Sequence, residues 1–589
     1  MKKLENNRQS GITLIALVIT IIVLIILAGV AINLTLGQNG LLNRTKEARE
    51  KYEIASAKEY IELKIDECII EKGGDASLQD IIDYLAEDSS VTYYVALEEV
   101  GLVAGEVDIG SPKEIYVVYN SYQFKVDESK NVEFISIVDV DLEGKVSIDA
   151  QVKEYLGKNA EEKYEASVLL KATGDAEISK LEIQNSDGTT LTLEPDGLTT
   201  VGKDMTIEFD KTYKVILTTA NGHKYTKKII EKSEETIMNA EQLVSFRDKV
   251  NSGLTYEGKT VKLGADIDLS TVCGANVGGK EVSWEPIGYY NSDDDYCSFK
   301  GTFDGKDYVI KGIYINVELS NRGLFGYIDG AKIENVIIKN GQVNALHNSG
   351  VIVGISKKSE VIHCNNSANI SGNVDIGGII GSSADTLIQR CANTGEITGK
   401  HSAGGIVGEI NGSSIVNESY NTGNIKTKDN GSVNENYIAG GIVGYKENVG
   451  NITISNCYNV GNVYGKIYTA GIIPYISYGG TIDIKNNYNI GNLSGGTINA
   501  ISSSKVVSYQ GTPKIQHNNN YWLKDCGATY GYPSSNTNAT PVDANTLKSY
   551  ASTLGDAYTN DVQNEDGTWK YNNGYPILKW QLQENQVTE

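Results

Sequence analysis

A chain of 589 residues exceeds what a single hydrophobic core serves, so several domains are expected. With 52 Lys+Arg against 75 Asp+Glu the net charge is -23, which repels a phosphate backbone and excludes nucleic acid as a main partner. The 62 Gly and 36 Tyr, set against 7 Phe and 3 Met, point to turn-dense β structure with amphipathic rings at half-exposed positions rather than an α/β enzyme interior.

The first element is "ITLIALVITIIVLIILAGVAI", residues 12 to 32, which holds no charge. As a helix at about 1.5 Å per residue it covers a hydrocarbon core of roughly 30 Å. Lys2, Lys3 and Arg8 outweigh Glu5 in the tail before it, so the N-terminus is expected in the cytoplasm and the remainder outside. The apolar run is longer than a secretion signal's and continues into a polar helix. This short basic leader ending in Gly11 resembles the class III signal of type IV pilins and pseudopilins. The resemblance implies cleavage by a prepilin peptidase after Gly11, Ile12 as the new N-terminus, and pilin subunits as partners. The fifth mature position, usually Glu in that family, is Ala16, so the carboxylate that meets a neighbouring subunit's terminal amine is missing. Pilin-like processing is preferred here over an uncleaved anchor and a cleaved signal.

Ile54, Ile61, Ile65 and Ile69 mark one helical face running to the break at "KGG", residues 72 to 74. Ser77 and Asp80 then form a capping-box start for "LQDIIDYLAE", and "EIYVVYN" and "YQFKV" read as strands of a small α/β head over 72–139. Residues 140–235 alternate apolar and polar between turn signals, with Asn221-Gly222 suited to a tight hairpin, as in an immunoglobulin-like sandwich spacer.

From residue 236 the chain repeats. Blocks of the type "GLFG" begin at 323, 351, 378, 405, 441 and 471, which are steps of 28, 27, 27, 36 and 30. They supply Gly323, Gly326, Gly354, Gly378, Gly381, Gly405, Gly408, Gly441 and Gly444, read as permitting tight corners. A second block, "CNNSANI" through "NYNIGNL", carries Asn366, Asn393, Asn421, Asn459 and Asn489 in one column. If each period is one coil of a parallel β-solenoid, these asparagines stack about 4.8 Å apart and form an amide ladder. Tyr420, Tyr458 and Tyr488 are expected to stack as an external ladder, and Cys364, Cys391 and Cys457 as small buried wall residues. These blocks resemble the GLUG-motif repeats of bacterial surface proteins, and the flanking segments from 236 to about 582 resemble the entry and exit of such proteins. The resemblance implies a right-handed parallel β-helix, with an N-terminal cap at 236–315, coils at 316–510 and a C-terminal cap at 511–589.

Chemistry is sparse. None of the five histidines is followed by Glu, which removes the H-E-x-x-H zinc motif, and no nucleophile elbow or Walker loop occurs. Asp375, Glu396 and Asp483 fall in different columns of the repeat, so no carboxylate pair is visible and the protein is read as no enzyme. Asp293, Asp294 and Asp295 in "NSDDDY" offer the oxygen ligands Ca²⁺ takes; a solvated acidic turn is the plainer reading, and no other cofactor or metal is implied. Cys273 and Cys297 flank that loop and could bridge. The long step marks an insertion near 426–437, where a binding loop is expected. The fold expected is mainly β: transmembrane helix (12–71, after leader 1–11), pilin-like head, sandwich spacer and solenoid. The function expected is a single-pass, membrane-anchored display of an adhesive or structural surface toward a host or matrix glycan or protein. The alternatives are a minor pseudopilin at a pilus tip and a β-helix enzyme acting on polysaccharide.

Overall fold

The computed structural model describes residues 41–583 except 75, 86–90, 98–100, 105–113, 120–121, 138–146, 175–176, 186–188, 196, 221–223, 429–436 and 503–511. Gly11, Ile12, the apolar run after them, the Asn221-Gly222 turn and most of the 426–437 insertion lie outside the described residues. Among the described residues no helix is long and apolar enough to cross a membrane. The chain divides into two compact units: Met1–Gln151, Val168–Met205 and Lys211–Ile230 form one, and Val152–Ser167, Thr206–Asp210 and Glu231–Glu589 the other. The division runs through the three strands of one sheet, Ser147–Lys158, Tyr164–Thr173 and Thr200–Glu208, rather than falling at the composition shift near 235.

In the first unit, helix Leu41–Glu71 buries Ala57, Ile61, Ile65 and Cys68 against helix Leu78–Leu85 and a five-stranded antiparallel sheet. The Ser77 amide donates to the Asp80 carboxylate at 2.9 Å and the Asp80 amide to the Ser77 hydroxyl at 3.1 Å, so the capping box closes from both sides. Strand Thr212–Thr219 buries every second residue and pairs antiparallel with Lys224–Ile230, the alternation of a sheet with one buried face.

The second unit is a stack of parallel turns. One turn runs through a return strand Ser402–Gly404, wall A at Val407–Asn411, wall B at Ser414–Asn417, wall C at Tyr420–Asn421 and wall D at Ile425–Thr427. Each pairs in parallel with its equivalent in the next turn: Ala403 with Ala439, Val407 with Val443, Val416 with Ile454, Asn421 with Asn459, Ile425 with Val463. Walls B and C each reach ten strands among the described residues. The inward column of wall B is branched aliphatic, with Val361, Ile388, Val416, Ile454 and Ile484 all fully buried. The B-to-C corner is made by non-glycine residues in the left-handed region, including Asn335, Arg390, Glu418, Asn456, Asn486 and Asn519 at φ of 48 to 55°.

The asparagine column stands inside. Nδ2 of Asn366, Asn393, Asn421 and Asn459 each donates to Oδ1 of the next asparagine at 2.8 to 2.9 Å. Its other proton goes to the carbonyl two residues on, Ala368, Gly395, Gly423 or Gly461, at 2.8 to 3.0 Å. Both protons of a buried primary amide are thus spent, which is what makes a buried polar column tolerable. Asn421→Ala is expected to strand the Asn393 donor and the Asn459 acceptor and to cost roughly 2–4 kcal/mol, measured by chemical denaturation.

The repeat glycines have a different cause from the corner conformation expected of them. None of Gly378, Gly405 or Gly441 has positive φ. A Cβ on Gly405 would lie 2.7 Å from Cβ of Asn421, and one on Gly378 or Gly441 2.5 Å from Cγ of Asn393 or Asn459. The nearest obstacle is a glycine carbonyl of the next turn, so the glycine column exists because both the stacked backbone and the asparagine ladder press against it across a narrow interior. Gly381, Gly408 and Gly444 meet the backbone of return strands instead, at Asn348–Ser349, Asp375–Ile376 and Ala403.

The N-terminal end is closed by helix Ala240–Asn251, capped by the Asn239 side chain. Its Phe246 ring lies 4.9 Å from Tyr256, 5.5 Å from Phe299 and 5.9 Å from Phe303. At the other end the last rung of wall C is Ala539–Val542, where Pro541 withholds an amide from the open edge. The segment after it is not an end cap. Residues 543–582 turn back along the outside of wall C. The tyrosine column does stack, with Tyr420–Tyr458 and Tyr458–Tyr488 centroids 5.0 and 4.9 Å apart, but it is not external. Tyr458 and Tyr488 are buried under Leu547, Leu554, Tyr558, Tyr575, Leu578 and Trp580. Their hydroxyls donate to Gln581 Oε1 at 2.9 Å and to the Pro576 carbonyl, and Trp580 Nε1 donates to the Glu418 carbonyl at 2.9 Å.

Candidate functional site

The residues singled out as a ligand loop do not assemble a metal centre. Asp293 and Asp295 sit on a hairpin of Tyr289–Ser292 and Asp295–Cys297, accepting from the Tyr290 hydroxyl at 2.5 Å and from Asn291 Nδ2 at 3.0 Å. Among the described residues no group of three His, Cys, Asp or Glu side chains is placed to hold a metal. Cys273 and Cys297 are not bridged: one thiol faces the Gly312 carbonyl at 3.7 Å and the other the Asn251 carbonyl at 3.5 Å. Cys364, Cys391 and Cys457 are fully buried.

Of the acids judged isolated, two are: the Glu396 amide meets Asn369 Oδ1 at 2.9 Å, and Asp483 pairs with Lys485 at 2.8 Å. Asp375 is different. It occupies a return strand at φ of 58°, and this left-handed step brings the strand against the outer face of wall A at Gly408. There it lies beside Glu409 of the next turn, and Glu447 of the turn after acts on it electrostatically. The Ser402 hydroxyl donates to Asp375 Oδ1 at 2.5 Å and the Ser382 hydroxyl to Glu409 Oε2 at 2.9 Å. Burial, then the Asp375 charge and the Glu447 contact, push Glu409 up to about 9; burial pushes Asp375 up to about 6 against the opposing Ser402 bond.

Tyrosines bracket these acids. In register along wall A the outer column reads Tyr327, Ile355, Ser382, Glu409, Tyr445. Tyr290 and Tyr296 lie 5.4 and 5.7 Å from Tyr327 at one end, and Tyr475 lies 5.1 Å from Tyr445 at the other. The neighbouring Lys446 points inward, where its ammonium donates to the carbonyls of Asn448, Ser477 and Gly479, and burial lowers it to about 8. No sequence pattern marks this lysine, because wall A carries Ile328, Ser356, Ser383 and Ile410 at the same inward position.

No family model matches this chain, and no curated protein matches it. Among solved structures the chain is similar to one titled IgA1 Protease, at 17% identity and a TM-score of 0.36, over 59% of this chain and 29% of that one.

Proposed function

We propose that this protein is a bacterial cell-surface display protein, non-enzymatic, whose stacked solenoid carries a recognition face outside the membrane. The observation that carries this is the in-register parallel stack, which holds accessible rings at fixed places along wall A: the exposed Tyr296 and half-buried Tyr290 beside one end of its outer column, and the half-buried Tyr445 at the other. Rings that stack on sugar faces, with hydroxyls and amides between them, suit glycans, and a rigid lattice of them binds without an ordering cost. The right-handed coil sense, the single-pass membrane stem, cleavage after Gly11 and an envelope of Gram-positive type belong to the same proposal, as does a tip role on a pilus as its variant. A binding screen of the full chain against glycans and matrix proteins tests it; capture of neither class would leave only a spacer. N-terminal sequencing of the cell-derived protein tests the stem: Ile12 is expected first, and an intact Met1 would remove the pilin route.

A second reading, a polysaccharide-active enzyme, is favoured by one observation, the convergence of Asp375, Glu409 and Glu447. Their burial argues for the first reading: Asp375 and Glu409 are 8% and 4% exposed, whereas glycosidase carboxyl groups flank a sugar that must reach between them. Turnover of an acidic or neutral glycan that disappears in Glu409→Gln would reverse the order of the two.

A further inference from the structure

Where wall C turns into wall D in the first turns of the solenoid, a cleft of about 530 Å³ opens on the outside. Tyr314, Asn340, Gln342, Ser367 and Asn369 come from three successive turns, and Asn276 from the hairpin Gly274–Val277 and Lys280–Val282 beside them. We propose that this cleft binds a neutral oligosaccharide. The proposal rests on the display reading and deepens it by naming a site and a ligand class.

The lining decides the class. It contains no Asp, Glu, Lys, Arg or His, so neither an anion nor a cation finds a counter-charge there. Small-molecule pockets that select for hydrophobicity are mostly apolar, whereas this one is dominated by primary amides and hydroxyls, the donors and acceptors that a polyol matches. The amides are pre-set. Asn276 Oδ1 accepts from the Gly279 amide at 3.0 Å and Asn369 Oδ1 from the Glu396 amide at 2.9 Å. Among the described residues their Nδ2 groups donate to no protein acceptor and remain for a ligand. The ring is pre-set too: the Tyr314 hydroxyl donates to Glu281 at 2.7 Å, and Asn316 Nδ2 donates to the same carboxylate oxygen at 2.6 Å. These two bonds hold Glu281 below the usual carboxylate range. A ring fixed this way stacks on a pyranose face at little entropic cost. The floor at Gly341 has no room for a side chain, since a Cβ there would meet the Ile313 side chain and lie 2.7 Å from its carbonyl oxygen. Cys273 adds no reactivity, because its thiol is buried against the Gly312 carbonyl and burial raises its pKa.

The test is a glycan array of neutral, sialylated and uronic-acid oligosaccharides probed with the full chain, followed by calorimetric titration of the strongest neutral ligand. Neutral ligands are expected to bind, Tyr314→Ala and the double variant Gln342→Ala/Asn369→Ala to weaken binding by about tenfold or more, and Tyr314→Phe to retain most of it. Retention in the phenylalanine variant, together with an unchanged circular dichroism spectrum, separates loss of stacking from loss of fold. A preference for acidic glycans, or neutral binding unchanged by Tyr314→Ala, overturns the proposal. If binding survives Tyr314→Ala but falls in Tyr445→Ala, recognition lies on wall A: the cleft fails and the display reading stands. Capture of a matrix protein with no glycan bound has the same meaning, whereas capture of neither removes both.

Discussion

Gly405→Ala is expected to destabilise the solenoid by about 3 kcal/mol or more, an unusually large cost for one methyl group. The added Cβ would press on the Gly441 carbonyl of the next turn and on the Asn421 side chain. Neither can yield cheaply. The carbonyl belongs to a parallel stack and the amide has both protons committed to neighbours, so relief of the clash breaks hydrogen bonds on two sides. Gly330→Ala is the control. Its φ is 72° and nothing lies within 4 Å of a Cβ, so only conformational strain is added, about 1 kcal/mol. Thermal unfolding followed by circular dichroism measures both; equal shifts would mean that backbone conformation, not proximity to the ladder, governs the glycine column.

The second large effect is on the pH dependence of stability. Glu409 has its folded pKa raised to about 9 from the model-peptide 4.5, so its contribution is intact below 4.5 and is lost as pH rises toward 9. Asp375 behaves alike but finishes near 6. Two groups run the other way. Burial lowers His517 to about 4, which acts between 4 and 6.5, and Lys446 to about 8, which acts above that value. Between pH 6.5 and 8 the slope therefore belongs chiefly to Glu409, at about 1.4 kcal/mol per unit, and a loss of roughly 2 kcal/mol is expected across that window. Glu409→Gln keeps the Ser382 hydroxyl bonded and removes the ionisation, so the curve should flatten and the variant should exceed the parent at pH 8. A parent curve already flat from 6.5 to 8 would show that Glu409 ionises normally.

Much of the solenoid was legible because stacking repeats a chemical requirement once per turn. Asn366 through Asn489 and the glycines opposite them are two halves of one contact, and each was visible in the sequence, though not that they touch. The acidic corner was hidden because Asp375, Glu409 and Glu447 hold different positions in the repeat. Asp375 lies on a return strand and the other two at different positions of wall A, and only the coil places that strand against wall A at Gly408. The burial of Tyr458 and Tyr488 was hidden for another reason: the segment that covers them is not a repeat and carries no periodic signal. The polar cleft at the C-to-D corner combines residues from four separate stretches, a proximity that only the coil geometry creates.

The strap of residues 543–582 changes how the stack comes apart and how it comes together. An ordinary solenoid touches only its neighbours, so turns can fray from an end independently. Here Trp580 reaches a carbonyl 162 residues earlier and Gln581 a hydroxyl 123 residues earlier, which couples distant turns into one cooperative block. Because the strap follows in the chain the turns it covers, the middle turns keep a greasy, tyrosine-lined flank bare until residues 543–582 have been made. Assembly of the stack thus falls into two stages, with the turns pairing loosely first and locking only once the strap docks.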